Sequence, residues 1–257
     1  MTQGALPRMP RAAPVPLHRQ VIESLCDYLA RAGLPPDNRL PSENVLAGQL
    51  GVSRATIRET LLAMEREGYI TKKHGVGTFV HPSALKARTR IDGVVDFDQL
   101  LVKAGYARVT ASSRVDSQVA NDYAGPLGVA RDEQVHVYRR IFRADARPAI
   151  YSVIRIPRTL LAGEPPVPAE TETIFALIKK ASGEEATHRI AWLKARTVDA
   201  EVGDALDLPV GEPVLSWDSV MYNYKDRALL HSSVYFNTAV VPLCVVGMTA
   251  SGTGVGP

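Results

Sequence analysis

Apolar residues recur at helical spacing in the first part of the chain, and this pattern predicts helices. In one segment Ile57, Leu61 and Met64 lie at positions i, i+4 and i+7, so that they form a single apolar stripe. Ser53 is suited to cap the first turn of this helix, and Gly68 is suited to end it in the left-handed conformation. The pattern therefore predicts a helix between these two residues.

Two further helices are predicted before this one, over residues 16–32 and 43–50. Ser42 is expected to cap the second of them. The inward-facing residues of that helix are predicted to be Val45, Leu46 and Leu50. A tight turn at Gly51 leads into the third helix, and two short helices joined by such a turn form a helix-turn-helix.

Two short β-prone runs, at 69–73 and 78–80, follow the third helix and surround a glycine-rich turn. This arrangement predicts a β-hairpin. Lys72 and Lys73 make the hairpin basic, and a basic hairpin directly after a helix-turn-helix is interpreted as a wing.

Beyond residue 108, short β-prone runs alternate with a few helical segments. Strands are predicted over 109–115, 135–143, 149–156, 188–198, 214–224, 229–237 and 243–246, and helices over 173–181 and 200–208. Short turns join neighbouring strands, which indicates hairpins and hence an antiparallel sheet. The second part of the chain is therefore predicted to be an α+β domain.

The composition is that of a globular protein with room for two modest domains: 257 residues, 46% hydrophobic and 22% charged. The net charge is only +3, so a nucleic-acid surface has to be local, and bases outnumber acids between Leu50 and Arg90. Residues 1–15 are rich in Pro, Ala and Arg and lack the apolar segment of a signal peptide. A disordered lead and a cytoplasmic protein without a membrane span are expected.

Motifs for catalysis or metal binding are missing from the sequence. None of the 6 histidines lies in a metal-ligand spacing, and there is no nucleophile elbow or paired-carboxylate signature. Cys26 and Cys244 have no partner spacing, so they are expected to be reduced and buried. We therefore expect no catalytic residues, no metal and no cofactor.

The third helix carries the candidate DNA chemistry. Arg54 and Arg58 lie four residues apart, side by side and away from the centre of the apolar stripe. With Thr56 near the N-terminus of the helix, they are typical of a DNA recognition helix. The alternative is an ordinary surface helix with solvated charges.

Several short motifs occupy these elements in order: Leu40-Pro41-Ser42-Glu43, Gly51-Val52-Ser53-Arg54, Thr56-Ile57-Arg58-Glu59, Glu67-Gly68 and Gly75-Val76-Gly77-Thr78-Phe79-Val80. Together they resemble the winged-helix domain of the GntR family of bacterial repressors. The resemblance implies operator contacts from Arg54, Arg58 and the wing tip. Asn44 stands where the family usually has a base-reading arginine, and Asn suits adenine whereas Arg prefers guanine. The predicted DNA-binding residues are Asn44, Ser53, Arg54, Thr56, Arg58, Lys72, Lys73, His74 and Gly75.

A doubled pattern marks the later region, where the segments 127–135 and 208–215 each precede a strand hairpin. This region resembles the effector-binding domain of the HutC branch of the GntR family, which has the fold of chorismate lyase. The implied fold is α+β, with an N-terminal winged helix-turn-helix followed by a chorismate-lyase-like antiparallel sheet with helices. The predicted boundaries are a disordered lead at 1–15, the winged helix at 16–80, a linker at 81–91, an effector-binding and dimerisation domain at 92–248 and a flexible tail at 249–257.

The resemblance also implies an effector pocket in which several usual residues are replaced. Asp96 and Asp98 stand where hydroxyl side chains are usual, and Ser152 and Leu230 stand where acids are usual. The predicted effector-binding residues are Asp96, Asp98, Arg140, Phe142, Tyr151, Ser152, Thr173, Phe175, Leu230, His231, Tyr235 and Phe236. Because two carboxylates disfavour a neighbouring phosphate, a less charged organic acid held by Arg140 is expected rather than a phosphorylated amino sugar.

The sequence thus predicts a transcription factor, most simply a repressor, that binds a short palindromic operator in double-stranded DNA as a homodimer. A small-molecule metabolite is expected to release it. One alternative is a constitutive DNA-binding regulator with a vestigial pocket, and a remote alternative is a lyase-like enzyme.

Overall fold

The computed structural model describes residues 17–32, 36–91, 96–161, 163–169 and 172–247. Contacts within the chain divide it into two compact units, residues 1–93 with 244–257 and residues 94–243. The predicted lead and tail lie outside the described residues. Among the described residues, no helix is long and apolar enough to cross a bilayer.

Three helices and a hairpin form most of the first unit. The helices are α1 (Leu17–Ala32), α2 (Glu43–Leu50) and α3 (Arg54–Arg66), and the hairpin consists of β1 (Ile70–Lys73) and β2 (Gly77–Val80). Their buried apolar side chains form one core, which includes Leu25, Leu46, Ile57, Leu61, Met64 and Ile70. The predicted helix-turn-helix and hairpin are therefore confirmed.

Side-chain caps delimit α2 and α3 as the sequence predicts. The Ser42 hydroxyl accepts a hydrogen bond from the backbone N–H of Val45 at 3.5 Å, and the Ser53 hydroxyl accepts one from that of Thr56 at 3.1 Å. Gly51 ends α2 with a φ of 68°, in the left-handed region that glycine occupies without a steric penalty. These caps fix the short turn between the two helices.

One prediction for α2 is wrong, because Val45 is 48% exposed. Leu46 and Leu50 are buried and define the inner face of this short helix. Successive helical residues are rotated by about 100° around the axis, so Val45 points away from the stripe that its neighbour occupies.

The segment predicted as a linker contains a short helix, α4 (Pro82–Lys86). Ala84 in this helix is buried, and Leu85 packs against the core of the first unit. Farther along, Arg90 forms an isolated parallel bridge with Cys244. The strand predicted over 243–246 is therefore wrong, because pairing of its backbone is limited to residues 89–91.

The two cysteines are free thiols. Both are partly exposed, whereas the sequence predicted burial. Cys26 follows the buried Leu25 on α1 and therefore lies at the margin of the core, where only part of the side chain is covered.

A six-stranded antiparallel sheet forms the framework of the second unit. The strands are β3 (Val109–Val119), β4 (Gln134–Ala144), β5 (Arg147–Pro157), β6 (His188–Thr197), β7 (Pro213–Tyr222) and β8 (Ala228–Phe236), in the spatial order β3-β4-β5-β8-β7-β6. The helices are α5 (Phe97–Lys103), α6 (Ala124–Leu127), α7 (Ile174–Ser182) and α8 (Ala200–Leu206). This architecture confirms the predicted α+β class.

Both faces of the sheet are covered by helices. On one face, here called the α7 face, Tyr138 and Ile154 pack with Leu177 of α7. On the other, here called the α8 face, Val137 and Val153 belong to the same core as Val202 of α8. Successive residues of a strand point to opposite faces, so each central strand contributes side chains to both cores.

Helices α5 and α6 are missing from the sequence-based prediction. The Phe97 ring of α5 contacts Phe142, Trp217 and Phe236 with centroid distances of 5.2, 6.0 and 6.1 Å. Both helices are short, at 7 and 4 residues. Segments of this length show little periodicity by themselves, and tertiary packing supplies most of their stability.

Candidate DNA-binding surface and effector-binding site

Arg54 and Arg58 lie in the first two turns of α3 and expose 60% and 58% of their side chains. Ser53 precedes them, and its hydroxyl lies 2.9 Å from that of Thr56 in addition to capping the helix. The first turn of α3 is therefore held by its own hydroxyls, while the two guanidinium groups remain accessible to a nucleic acid.

A carboxylate that the sequence analysis did not assign to this surface lies between the two arginines. Glu43 Oε2 accepts a hydrogen bond from Arg54 Nε at 3.2 Å and another from Arg58 Nη2 at 3.3 Å. Burial raises the pKa of Glu43, but the hydrogen bonds from Arg54 and Arg58 outweigh it and hold the pKa below its usual value. Glu43 begins α2, next to the exposed Asn44.

The hairpin exposes a second group of candidate DNA contacts. Lys73, His74 and Gly75 are exposed, and Lys72 is half-buried. Gly75 has a φ of 71°, so the tight turn at the tip favours glycine.

Arg39 fixes the base of the hairpin. A Cβ atom on Gly77 would lie 2.6 Å from Arg39 Nε, and the φ of Gly77 is 143°. The adjacent Leu40 donates its backbone N–H to the carbonyl of Thr78 at 2.8 Å. The hairpin is therefore attached to the segment that leads into α2.

In the second unit, strand pairing brings part of the predicted effector set together on the α7 face. Arg140 lies directly opposite Ser152 across β4 and β5. In the next row on the same face, Phe142 lies opposite Ile150, which lies opposite Phe236. Leu230 also belongs to the core on this face.

Arg140 is the least satisfied charge of this group. It is only 3% exposed, and its Nε and Nη2 atoms are buried without a hydrogen-bond partner among the described residues. The neighbouring Ser152 Oγ is in the same condition. Burial lowers the pKa of Arg140, while the carboxylates of Asp98, Asp96 and Glu172 oppose that effect. A buried guanidinium with unmet donors is costly unless an anion or another acceptor completes its hydrogen bonds.

Two predicted effector residues have a structural role as helix caps. Asp96 caps α5, and its Oδ1 accepts the backbone N–H groups of Asp98 and Gln99 at 3.0 and 3.2 Å. Thr173 caps α7 through a hydrogen bond from Ala176 N at 3.1 Å. Phe175 in the first turn of α7 is partly exposed.

The expectation that Tyr151, His231 and Tyr235 converge with Arg140 is corrected by the strand register. Tyr151 pairs with Tyr235, and Arg155 pairs with His231, which assigns all four to the α8 face. Tyr151 is the neighbour of Ser152, which lies opposite Arg140, so Tyr151 points to the other face of the sheet. Tyr235 and His231 are paired with residues of that other face. A ligand on one face cannot contact both groups through the intact sheet.

The polar groups of the α8 face are largely paired with one another. Tyr151 donates its hydroxyl to Glu201 Oε1 at 2.5 Å, and Arg139 bridges Glu201 and Asp116 at 2.8 and 2.6 Å. These side chains line a cavity of about 600 Å³. Arg196 donates to Tyr235 at 2.9 Å. Three atoms of this face, Arg155 Nε, Asp218 Oδ1 and His231 Nδ1, are also buried without a hydrogen-bond partner among the described residues. The carboxylates of Glu201 and Asp218 nevertheless pair with arginines of the same face.

The comparisons with known proteins agree with this two-part architecture. The family profile described as "Bacterial regulatory proteins, gntR family" matches residues 17–80, and the UTRA domain profile matches residues 108–240. The chain belongs to the GntR family of bacterial regulators, with a UTRA domain.

Relatives of this GntR-family chain extend over most of its length. The HTH-type transcriptional regulator Rv0792c of Mycobacterium tuberculosis is 30% identical over 84% of this chain and 80% of its own. The HTH-type transcriptional repressor NagR of Bacillus subtilis is 28% identical over 88% of this chain and 92% of its own. The crystal structure of the possible transcriptional regulator YydK from Bacillus subtilis has a TM-score of 0.70 at 19% identity and covers 90% of this chain and 99% of its own. That last likeness supports the fold alone.

The family and its relatives make this chain a transcription regulator. The predicted GntR and HutC-type recognition is confirmed, since histidine utilization repressors are also among the relatives. The same relatives are regulators and not enzymes, which confirms the prediction against catalysis.

The buried His231 predicts how the stability of the second unit depends on pH. Burial lowers its pKa from 6.5 to about 4, with Arg155 as the next cause. Between these pH values the unfolded chain binds a proton that the folded chain does not, so the free energy of unfolding falls as the pH falls. The limiting slope for one group is about 1.4 kcal/mol per pH unit. In urea titrations from pH 7 to 4, His231→Leu should flatten this loss.

A second substitution, His231→Gln, supplies the control, because it also removes the imidazole and should flatten the loss to the same extent. If His231→Leu retained the full wild-type dependence on pH, the loss of stability would have to be assigned to other groups.

Proposed function

We propose that this regulator is a repressor that binds a short palindromic operator as a homodimer and leaves it when a small carboxylate effector binds. Arg54 and Arg58 read base edges, and the hairpin contacts the phosphate backbone. Arg140 and Ser152 bind the effector carboxylate. The observation that carries the effector class is the buried Arg140 guanidinium, whose donors lack partners among the described residues.

The DNA-binding part of the proposal rests on exposure and charge. Arg54 and Arg58 present guanidinium groups at the start of α3, where side chains of a recognition helix enter the major groove. Asn44 is exposed on the neighbouring helix and suits adenine. Lys72 and Lys73 are suited to phosphate contacts, which raise affinity without reading sequence.

The effector part of the proposal follows from the charge around Arg140. A single carboxylate would accept hydrogen bonds from the guanidinium and from the Ser152 hydroxyl, and would neutralise the buried charge. Asp96, Asp98 and Glu172 already act electrostatically on Arg140. A doubly charged phosphate would be repelled by these carboxylates, so a monocarboxylate fits better.

A second copy of this chain is the proposed partner at strand β6. This strand lies at the edge of the sheet and exposes Ile190, Trp192 and Leu193. An exposed apolar edge favours pairing with another strand. Lys194 and Arg196 on the same strand are each paired with Asp218, at 2.5 and 2.8 Å, which reduces the repulsion between two copies.

Regulation then requires two arrangements of the dimer with different affinities for the two ligands. The effector shifts the population by binding better to the arrangement whose recognition helices do not match the half-sites. By linkage, operator DNA lowers the affinity for the effector by the same factor.

The DNA-binding proposal predicts that Arg58→Ala weakens operator binding by about 1–3 kcal/mol, because a bidentate base contact is lost. Operator duplexes selected from genomic fragments by the purified protein are the probe, and fluorescence anisotropy gives the affinity. Arg66→Ala removes the same charge from the far end of α3 and should have a much smaller effect. Unchanged operator affinity in both Arg54→Ala and Arg58→Ala, with intact circular dichroism, would contradict the proposal.

The homodimer proposal predicts that Trp192→Lys yields monomers, because Trp192 is 49% exposed on the free edge and a lysine there opposes pairing. Sedimentation velocity at concentrations where the wild type is dimeric measures the change. Val210→Lys, at an exposed apolar residue outside β6, is the matched control and should remain dimeric. A dimer that survived Trp192→Lys would exclude β6 as the contact.

The effector proposal predicts opposite effects of Arg140→Met on stability and on binding. Methionine fills much of the same volume without a buried charge, so the unfolding midpoint of the free protein should stay the same or rise. Carboxylate ligands found in a thermal-shift screen should bind at least tenfold more weakly by calorimetry. Arg143→Met, on the same strand, should retain them. Tight binding of an amino-sugar phosphate that also released operator DNA would contradict the proposed effector class.

A further inference from the structure

The carboxylate of Glu43 occupies an unexpected place for a DNA-binding surface. It lies between the two guanidinium groups proposed to read the operator and accepts a hydrogen bond from each, at 3.2 Å from Arg54 Nε and 3.3 Å from Arg58 Nη2. DNA is a dense array of negative charge, so an ionised carboxylate at this point lowers the affinity for any duplex.

Stability does not account for this arrangement. The side chains of Glu43, Arg54 and Arg58 are 27%, 60% and 58% exposed, and ion pairs with such exposure contribute little to the free energy of unfolding. The pKa of Glu43 is nevertheless held below its usual value by the two arginines, so the carboxylate stays ionised at neutral pH. A benefit in function is needed to offset its repulsion of DNA.

The carboxylate can supply such a benefit by fixing the orientation of the two guanidinium groups. An arginine side chain has many rotamers, and ordering it on the DNA costs conformational entropy. The two arginines lie on α3, whereas Glu43 is the first residue of α2, whose start is fixed by the Ser42 cap. One acceptor oxygen thus ties two guanidinium groups to a fixed point on a second helix.

The contacts with Glu43 leave most of each guanidinium free for DNA. Each arginine uses one of its five N–H groups for the carboxylate, so four remain for a base or phosphate. Glu43 can therefore retain both contacts while the arginines read the groove.

We propose that Glu43 is a positioning residue for operator recognition: it holds Arg54 and Arg58 in the orientation that reads base edges, and thereby increases discrimination between sequences while reducing overall affinity for DNA. This inference rests on the proposed role of the two arginines in DNA binding. It differs from a purely repulsive role of the carboxylate, which would weaken binding to every duplex by the same factor.

Glu43→Gln distinguishes positioning of the arginines from simple repulsion of DNA, because it keeps the size of the side chain and removes its charge. Anisotropy titrations of the full chain against a selected operator and a scrambled duplex, over a series of KCl concentrations, give both affinities. Positioning predicts unchanged or stronger binding to the scrambled duplex and weaker binding to the operator, so that their ratio falls at least tenfold. Glu59→Gln removes an exposed carboxylate of α3 that contacts neither arginine in the described structure, and should leave the ratio within about twofold of the wild type.

A rise in both affinities by the same factor in Glu43→Gln would overturn the proposal in favour of simple repulsion. A wild-type protein that did not distinguish operator from scrambled DNA would overturn the proposed DNA reading and the positioning role with it. A discriminating wild type with an unchanged ratio in Glu43→Gln would overturn the positioning role alone.

A measurement on the wild type keeps the proposal testable if Glu43→Gln reduces folding. Side-chain ¹⁵N relaxation of arginine Nε in the DNA-free full chain should show more restricted motion at Arg54 and Arg58 than at Arg66, which is exposed at the end of the same helix. Equal mobility at all three arginines would overturn the proposal.

Discussion

Burial of strand β5 on both faces is the constraint on which the chemistry of the second unit depends. From Ala149 to Pro157 every residue of this strand is buried, because it lies inside the sheet with helices on either side. A polar side chain at such a position loses water whichever way it points. Ser152 and Arg155 are therefore committed to opposite cores, and each needs partners from its own face.

The two faces meet this requirement differently. On the α8 face, Arg139 and Tyr151 both donate to Glu201, whereas Arg155 Nε and His231 Nδ1 are buried without a hydrogen-bond partner among the described residues. On the α7 face, the Nε and Nη2 atoms of Arg140 and the hydroxyl of Ser152 have no hydrogen-bond partner among the described residues. Buried unpartnered atoms thus occur on both faces. The α7 face is the better candidate for an anionic ligand because two of its three such atoms are N–H donors of one guanidinium, opposite a serine hydroxyl.

The two arginines of α3 in the first unit are exposed, whereas Arg140 is buried. Arg54 and Arg58 keep most of their hydration, and a single carboxylate from another helix organises them. Exposed charge can bind DNA without a large desolvation cost, since phosphates replace water and counterions at the surface. We thus propose two roles for arginine in this protein, DNA contact where it is exposed and ligand binding where it is buried.

The sequence by itself determined the elements whose causes are local. Serine caps, the apolar stripe Ile57–Leu61–Met64 and the glycine turns fixed the helix-turn-helix and the hairpin, and alternation gave six of the seven predicted strands. Only the tertiary structure decided the strand order β3-β4-β5-β8-β7-β6, and with it which side chains share a face. Tyr151, His231 and Tyr235 were assigned to the wrong face of the sheet. Alternation shows that neighbouring residues of one strand point to opposite faces, but it does not show which residues of different strands share a face. Glu43 was missed for the same reason, since its contact with Arg58 spans 15 residues and exists only once α2 has packed against α3.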